Sequence, residues 1–185
     1  MLSDSLVGGV LRMLATAAMS HSDQPKALEL GTFTGYATTW LLDALPTNGQ
    51  LISCELKQEY ADIALRHLAT HPKRAQLQLC VGPALDTLQS MVDAGESTTL
   101  DFIYLDANKK SYLAYYEFIL RHRLLRRGGV LLIDNTLWKG LVTTTPQDSM
   151  TRSIDAFNQH LAQDTRVIAT MLPIRDGLTI VQWKP

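Results

Sequence analysis

The sequence predicts an α/β fold: a doubly wound, mostly parallel sheet of seven strands, and three observations carry that reading. Five short apolar runs each follow a segment of helical periodicity, the alternation of a parallel sheet with crossover helices. Each of the five runs ends at or beside an acidic residue or a glycine. The last two strand-like runs are separated only by the five residues Pro173 to Gly177, PIRDG. That is enough for a hairpin and too few for a crossover, so these strands must be antiparallel to each other. At 185 residues the chain fits one domain, residues 1–185, with a sizeable core.

The elements follow in order. Leu6, Val10, Leu11, Leu14 and Ala18 recur at helical spacing, so Leu2 to Met19 reads as an amphipathic helix. Ser20 to Pro25 is a polar loop. Ala27 to Leu30 is the opening strand, and Tyr36 to Leu45 is a helix stopped by Pro46 and the turn residues Asn48 and Gly49. Gln50 to Glu55 is a second strand. Gln58 to Ala69 carries Tyr60, Ile63, Ala64 and Leu68 on one side, as a helix covering a sheet does. Gln76 to Val81 is a third strand, and Pro83 suits the first turn of a helix over Ala84 to Val92. Leu100 to Leu105 is a fourth strand. Lys110 to Leu125 reads as a long helix, Gly128-Gly129 as its stop, and Val130 to Ile133 as a fifth, strongly buried strand. Leu137 to Gln147 is a polar, threonine-rich loop, Met150 to Ala162 a helix, and Arg166 to Leu172 and Leu178 to Trp183 the closing strands.

Composition excludes several classes. Net charge is −1, from 17 basic and 18 acidic residues of interspersed sign, so the total carries no polyanion-binding or membrane-surface signature. Small-molecule partners are expected. The N-terminal stretch lacks the pattern of a secretion signal, and no apolar run approaches the ~20 residues that span a bilayer. A soluble, cytoplasmic protein is expected. Cys54 and Cys80 both lie in apolar strand-like runs and are expected as buried core thiols rather than a disulfide or metal pair.

Ala27 to Tyr36, ALELGTFTGY, reads as a strand feeding a ligand-binding turn. Gly31 lets the backbone bend sharply and Gly35 opens a helix, so free N–H groups and a positive helix end face one spot. The dinucleotide fingerprint G-x-G-x-x-G is absent. The pattern is E-x-G-x-x-x-G, with Glu29 two residues before the first glycine. That carboxylate repels a pyrophosphate and attracts a cation. S-adenosylmethionine, with an ammonium and a sulfonium and no phosphate, suits it. Glu55 ends the second strand roughly twenty residues after the turn, where an acidic side chain accepts hydrogen bonds from both ribose hydroxyls. Gly82-Pro83-Ala84 offers a close backbone approach to an adenine edge.

Glu29, Glu55, Asp106 and Asp134 lie at or just past the ends of four of the five successive strands, with Val81-Gly82 at the third, and those ends share one edge of a doubly wound sheet. Any one of them could instead cap the following helix; four together point to a crevice. Asp106, Asp134 and Asn135 offer only hard oxygen ligands and no histidine, which favours magnesium, manganese or calcium over zinc. An acceptor with two neighbouring hydroxyls would complete such a site. Lys109, three residues after Asp106, is the candidate base, with Lys110 as its solvent-facing rival. Arg121, His122, Arg123, Arg126 and Arg127 are read as ending the long helix, where cations complement the dipole. The histidines His21, His67, His71, His122 and His160 show no paired spacing and are assigned no role.

ELGTFTGY, CELKQEYADIA, GPAL, LDANKKSY, GGVLLIDNTLWKG and LPIRDGLTI, in this order from about Val7 to Val181, resemble the cation-dependent O-methyltransferases of the caffeoyl-CoA and catechol type. The resemblance implies a Rossmann-like class I methyltransferase sheet of seven strands with a reversed last strand, magnesium dependence and often a homodimer. It places the metal ligands on Asp106, Asp134 and Asn135, and the catalytic lysine on Lys109. The cofactor set expected is Glu29, Gly31, Thr32, Gly35, Ala37, Glu55, Leu56, Gly82, Ala84 and Asp106, with Trp138 and Lys109 toward an aromatic diol substrate. Three departures stand out. The chain starts almost at the first shared helix, where the family has further residues for the dimer and acceptor wall. Asn108 replaces the second aspartate of Asp-Ala-Asp-Lys, and Lys139 follows Trp138 beside a short loop, which argues against caffeoyl-CoA itself as substrate. Two alternatives remain open on the sequence: an in-family transfer-RNA hydroxyuridine methyltransferase using the basic cluster, and a cofactor-binding protein without catalysis.

Overall fold

The computed structural model describes residues 4–184. Asp4 accepts the N–H groups of Leu6 and Val7, both at 3.0 Å, and so starts α1 (Ser5–Met19); the expected start at Leu2 lies outside the described residues. The chain continues through β1 (Lys26–Leu30), α2 (Tyr36–Ala44), β2 (Gln50–Glu55), α3 (Gln58–His67), β3 (Leu77–Val81), α4 (Ala84–Asp93) and β4 (Leu100–Leu105). Then come α5 (Tyr112–Arg121), β5 (Leu125–Asp134), α6 (Ser149–Gln163), β6 (Val167–Leu172) and β7 (Leu178–Trp183). The strands form one sheet in the order β3-β2-β1-β4-β5-β7-β6. β1 to β5 run parallel, while β7 is antiparallel to both β5 and β6. The hairpin and the reversed strand are as expected.

The chain leaves β1 toward β2 and β3, then returns to lay β4 and β5 on the other side. The switch in direction therefore falls between β1 and β4, where open α/β sheets bind ligands. Helices cover both faces. Leu11, Leu41 and Leu42 from α1 and α2 pack with Phe102, Tyr104 and Leu132 on one face. Leu88, Tyr116, Ile119 and Phe157 from α4, α5 and α6 pack with Ile103, Leu131 and Ile133 on the other. The central strands are apolar throughout because both faces are covered.

Four expectations are corrected. The helix read as Lys110–Leu125 is a 3-10 turn over Lys109–Ser111 followed by α5, which stops at Arg121. Leu124 and Leu125 continue the apolar pattern, but Arg123 takes a left-handed φ of 54°, and both leucines drop into the core as the chain enters β5. Gly128 and Gly129 stop no helix. They lie inside β5, at a bulge: Leu125 pairs with Leu100 and Val130 with Phe102, so extra residues must loop out of the ladder. Gly128 supplies the positive φ of 73° that the bulge requires. The basic cluster is thereby split, and Arg126 is spoken for: its guanidinium binds the buried Asp101 carboxylate and donates to the Ala18 carbonyl at 2.6 Å. Last, Cys54 is buried and Cys80 only half-buried.

Candidate active site

The turn after β1 is made by its neighbours. Gly31 adopts φ 106°, and a Cβ there would lie 2.5 Å from the Asp106 carbonyl oxygen, so only glycine lets the ends of β1 and β4 come this close. The N–H groups of Gly31 and Thr32 both donate to the Cys54 carbonyl at 3.0 Å, which ties the turn to the end of β2. Gly35, with φ 88°, turns the chain into α2.

Around this turn the carboxyl edge of the sheet opens into a cavity of about 560 Å³. Gly31, Glu55, Leu56, Gly82, Ala84, Asp106, Lys109, Asn135 and Trp138 line it, so the structure brings together residues from the ends of five strands. Glu55 is held in place by backbone: Oε2 accepts the Phe33 N–H at 2.8 Å and Oε1 the Lys57 N–H at 3.0 Å.

Thr32, Gly35 and Ala37, expected as cofactor contacts, are not among the lining residues. Thr32 is buried with its hydroxyl on Ser53, Gly35 faces Ala64 and Leu68, and Ala37 packs in the α1–α2 core. They shape the turn from behind. Glu29 also stands behind the wall, wholly buried. Its Oε2 accepts from the Ser53 hydroxyl and, at 2.7 Å, from the Thr38 hydroxyl, while Oε1 has no hydrogen-bond partner among the described residues. Burial above all, with Asp106 and Glu55 adding like charge, pushes its carboxyl up to about 7. An orphaned, buried carboxylate oxygen at this spot fits the cationic end of the cofactor.

That burial makes a prediction for the unliganded protein. The folded form holds the Glu29 proton more tightly than the unfolded form, so this contribution to stability is complete below about pH 4.5 and is lost as pH rises through about 7. The loss amounts to roughly 3 kcal/mol. Thermal melts across this range should show Glu29→Gln with a flatter pH dependence than wild type; parallel curves would refute the assignment.

At the other end of the cavity, Leu105 pairs with Ile133, and one residue further the same register sets Asp106 beside Asp134, on parallel strands about 4.8 Å apart. Burial first, and then Asp134, push the Asp106 carboxyl up to about 6 against the pull of Lys109. Lys109 Nζ binds Asp106 Oδ1 and lies 5.4 Å from the centre of the Tyr112 ring. Asn135 takes a left-handed φ of 59°, which folds it back onto Asp134: its N–H donates to Asp134 Oδ1 at 2.7 Å and its Nδ2 at 3.3 Å. Asn108 caps the 3-10 turn by accepting the Lys110 N–H at 3.3 Å, so the departure from the family pattern has a local structural use. Trp138 and Lys139 also have positive φ, 47° and 58°, on a 3-10 segment over Trp138–Thr143 where a plain loop was expected.

Sequence reasoning missed Phe33, Tyr60, Leu85, Ser111 and Tyr115, all of which line the cavity. Tyr60 sits in the apolar periodicity of its helix and Tyr115 within a long one, so their spacing reads as core. Phe33 pairs edge-on with Tyr60 at 4.7 Å, a contact no local pattern announces. Among the described residues, one other group could hold a metal by ligand type, Glu117, His160 and Asp164 between α5 and α6. The Arg166 guanidinium already bonds Glu117 Oε1 at 2.6 Å and Asp164 Oδ2 at 2.5 Å there, so that cluster has its cation.

A seven-stranded sheet of this order, with a glycine turn, an acidic residue ending β2 and a cavity over the switch point, defines a class I methyltransferase. Residues 8–184 match the O-methyltransferase family model. The probable caffeoyl-CoA O-methyltransferase 1 of Dictyostelium discoideum is 36% identical over 158 residues, covering 84% of this chain and 68% of that protein. The mouse catechol O-methyltransferase domain-containing protein 1 is 36% identical over 156 residues, 84% of this chain and 59% of that one. In structure, the Streptomyces achromogenes O-methyltransferase TomG of tomaymycin synthesis, in complex with SAM, superposes with a TM-score of 0.88 at 29% identity, covering 100% of this chain and 82% of that one. The Bacillus cereus O-methyltransferase in complex with SAH gives 0.88 at 30%, with 99% and 83% covered. The chain belongs to the O-methyltransferase family, and it is an S-adenosylmethionine-dependent enzyme.

Proposed function

We propose that this chain transfers the methyl group of S-adenosylmethionine to one hydroxyl of a catechol-like small aromatic, with a divalent cation held by Asp106, Asp134 and Asn135. The observation that carries this reading is the side-by-side placement of Asp106 and Asp134 at the ends of neighbouring strands, with Asn135 folded against Asp134. The donor set is all oxygen, which suits magnesium or manganese. The half-buried Asp106 and the buried Asp134 repel each other at this spacing; desolvation raises the Asp106 carboxyl first, and Asp134 raises it further. A dication relieves that repulsion. When bound there, the ion would supply Lewis acidity that lowers the pKa of an acceptor hydroxyl and orients its oxygen.

The chain's own side chains do the rest. Glu55 holds the ribose hydroxyls and Glu29 balances the cofactor's charge. Trp138 walls the acceptor end, where a flat ring fits against it. Lys109 takes the hydroxyl proton. The acceptor oxygen gains the methyl group as the carbon–sulfur bond breaks, the sulfur keeps the electron pair, and S-adenosylhomocysteine leaves. Most of the acceleration is asked of orientation, since a methyl donor and a fixed oxygen need little more than a near-attack geometry.

The test is product formation from a panel of catechols, with and without EDTA, followed by restoring magnesium, manganese or calcium. Activity that vanishes with chelator and returns with magnesium is the expected result. Activity indifferent to chelator would discard the cation, and turnover only on hydroxyuridine RNA would replace the acceptor class.

A further inference from the structure

We propose that Tyr104 is a positioning residue for the cation site, holding the Asp134 carboxylate in one orientation so that the site accepts magnesium or manganese and discriminates against calcium. The inference rests on the metal reading above. Tyr104 is wholly buried in β4 among apolar side chains of the α1–α2 face, a setting in which phenylalanine would pack equally well. A phenolic hydroxyl there costs free energy unless it has a partner. Its partner is Asp134: the Tyr104 hydroxyl donates to Oδ2 at 2.7 Å. Tyr104 pairs in register with Leu132, and side chains two apart share a face. Asp134 is therefore the diagonal neighbour of Tyr104 at the open end of the sheet.

The other handles on Asp134 are fixed as well. Oδ1 accepts the Asn135 N–H at 2.7 Å. From the opposite face of the sheet, the Tyr112 hydroxyl donates to the Asp134 carbonyl at 3.0 Å. An ionised carboxylate has two acceptor sites on each oxygen. Here Oδ2 takes the Tyr104 hydroxyl, and Oδ1 takes the Asn135 N–H and, at 3.3 Å, its Nδ2, so anchored donors keep the group from rotating to follow an ion. Calcium takes six to eight oxygens in flexible geometry and uses bidentate carboxylates, whereas magnesium takes an octahedral set from one or two carboxylates and water. A carboxylate held in one orientation, with Oδ1 taken up by Asn135, is poorly disposed to the bidentate grip that calcium uses and suits the ion of stricter geometry. Partners that orient a metal ligand carry about 10- to 100-fold in metal affinity.

The experiment measures Mn²⁺ binding by electron paramagnetic resonance, with Ca²⁺ as competitor, for wild type, Tyr104→Phe and Asp134→Ala. Calorimetry of S-adenosylhomocysteine binding without metal serves as the control for an intact fold. The expected result is that Tyr104→Phe loses about 10- to 100-fold in Mn²⁺ affinity, that its preference for Mn²⁺ over Ca²⁺ narrows, and that cofactor affinity is unchanged. Tyr104→Phe with wild-type affinity and preference overturns the inference, while loss of Mn²⁺ by Asp134→Ala keeps the metal reading. Asp134→Ala that binds Mn²⁺ like wild type removes both. Should Tyr104→Phe not fold, the wild type decides alone: Ca²⁺ held as tightly as Mn²⁺ overturns the role given to Tyr104.

Discussion

Lys109→Ala is expected to lower kcat by about 10²- to 10⁴-fold, the range carried by a positioned general base, and to leave cofactor affinity unchanged. The side chain is 11% exposed, and its ammonium binds Asp106, which lines the same cavity. Among the described residues its side-chain partners are Asp106 and the Tyr112 ring, away from the Glu55 end. Lys109→Arg separates charge from proton transfer, because a guanidinium keeps the ion pair and cannot be deprotonated. Both variants should lose methyl transfer alike in single-turnover measurements. Full activity in the arginine variant would reduce Lys109 to an electrostatic partner of Asp106.

Gly31→Ala is expected to cost about 4 kcal/mol, combining backbone strain with overpacking, and to lower the melting temperature by about 10 °C. The new Cβ would meet the Asp106 carbonyl oxygen at 2.5 Å and its carbon at 2.8 Å, and backbone atoms cannot swing aside as a side chain does. Relief requires the ends of β1 and β4 to separate, which also displaces Asp106 from Asp134. Gly82→Ala is the matched control. Gly82 has φ 134° and, among the described residues, nothing within 4 Å of a built Cβ, so that variant bears backbone strain alone. Calorimetric melts that place the two variants together would remove the close approach as the reason for Gly31.

The order of helices and strands was legible along the chain because each central strand is a short apolar run covered on both faces, and its end is punctuated by an acidic residue or glycine. Where local pattern and tertiary context disagree, the pattern misleads. Leu124 and Leu125 look like the last turn of α5, and Gly128-Gly129 like its stop, because the next apolar run begins at Val130. The pairing of Leu100 with Leu125 is a long-range fact, and it draws this segment into β5 and spends the two glycines on a bulge. Arg126 was unreadable for the same reason: its partner Asp101 lies on the neighbouring strand.

The site divides in the same way. The sequence by itself determined which oxygen-bearing residues stand at strand ends, since those positions follow from hydrophobic periodicity, and parallel strands share one edge. It could not distinguish a residue that lines the cavity from one that braces it. Glu29, Thr32 and Ala37 occupy the same motif as Gly31, yet they face the interior, where Glu29 meets the Ser53 and Thr38 hydroxyls. Tyr104 reads as one more apolar strand residue until the sheet sets its hydroxyl against Asp134. Only the tertiary structure decides such matters, because strand periodicity fixes which face a side chain takes, while its partner depends on the register of strands distant in the chain.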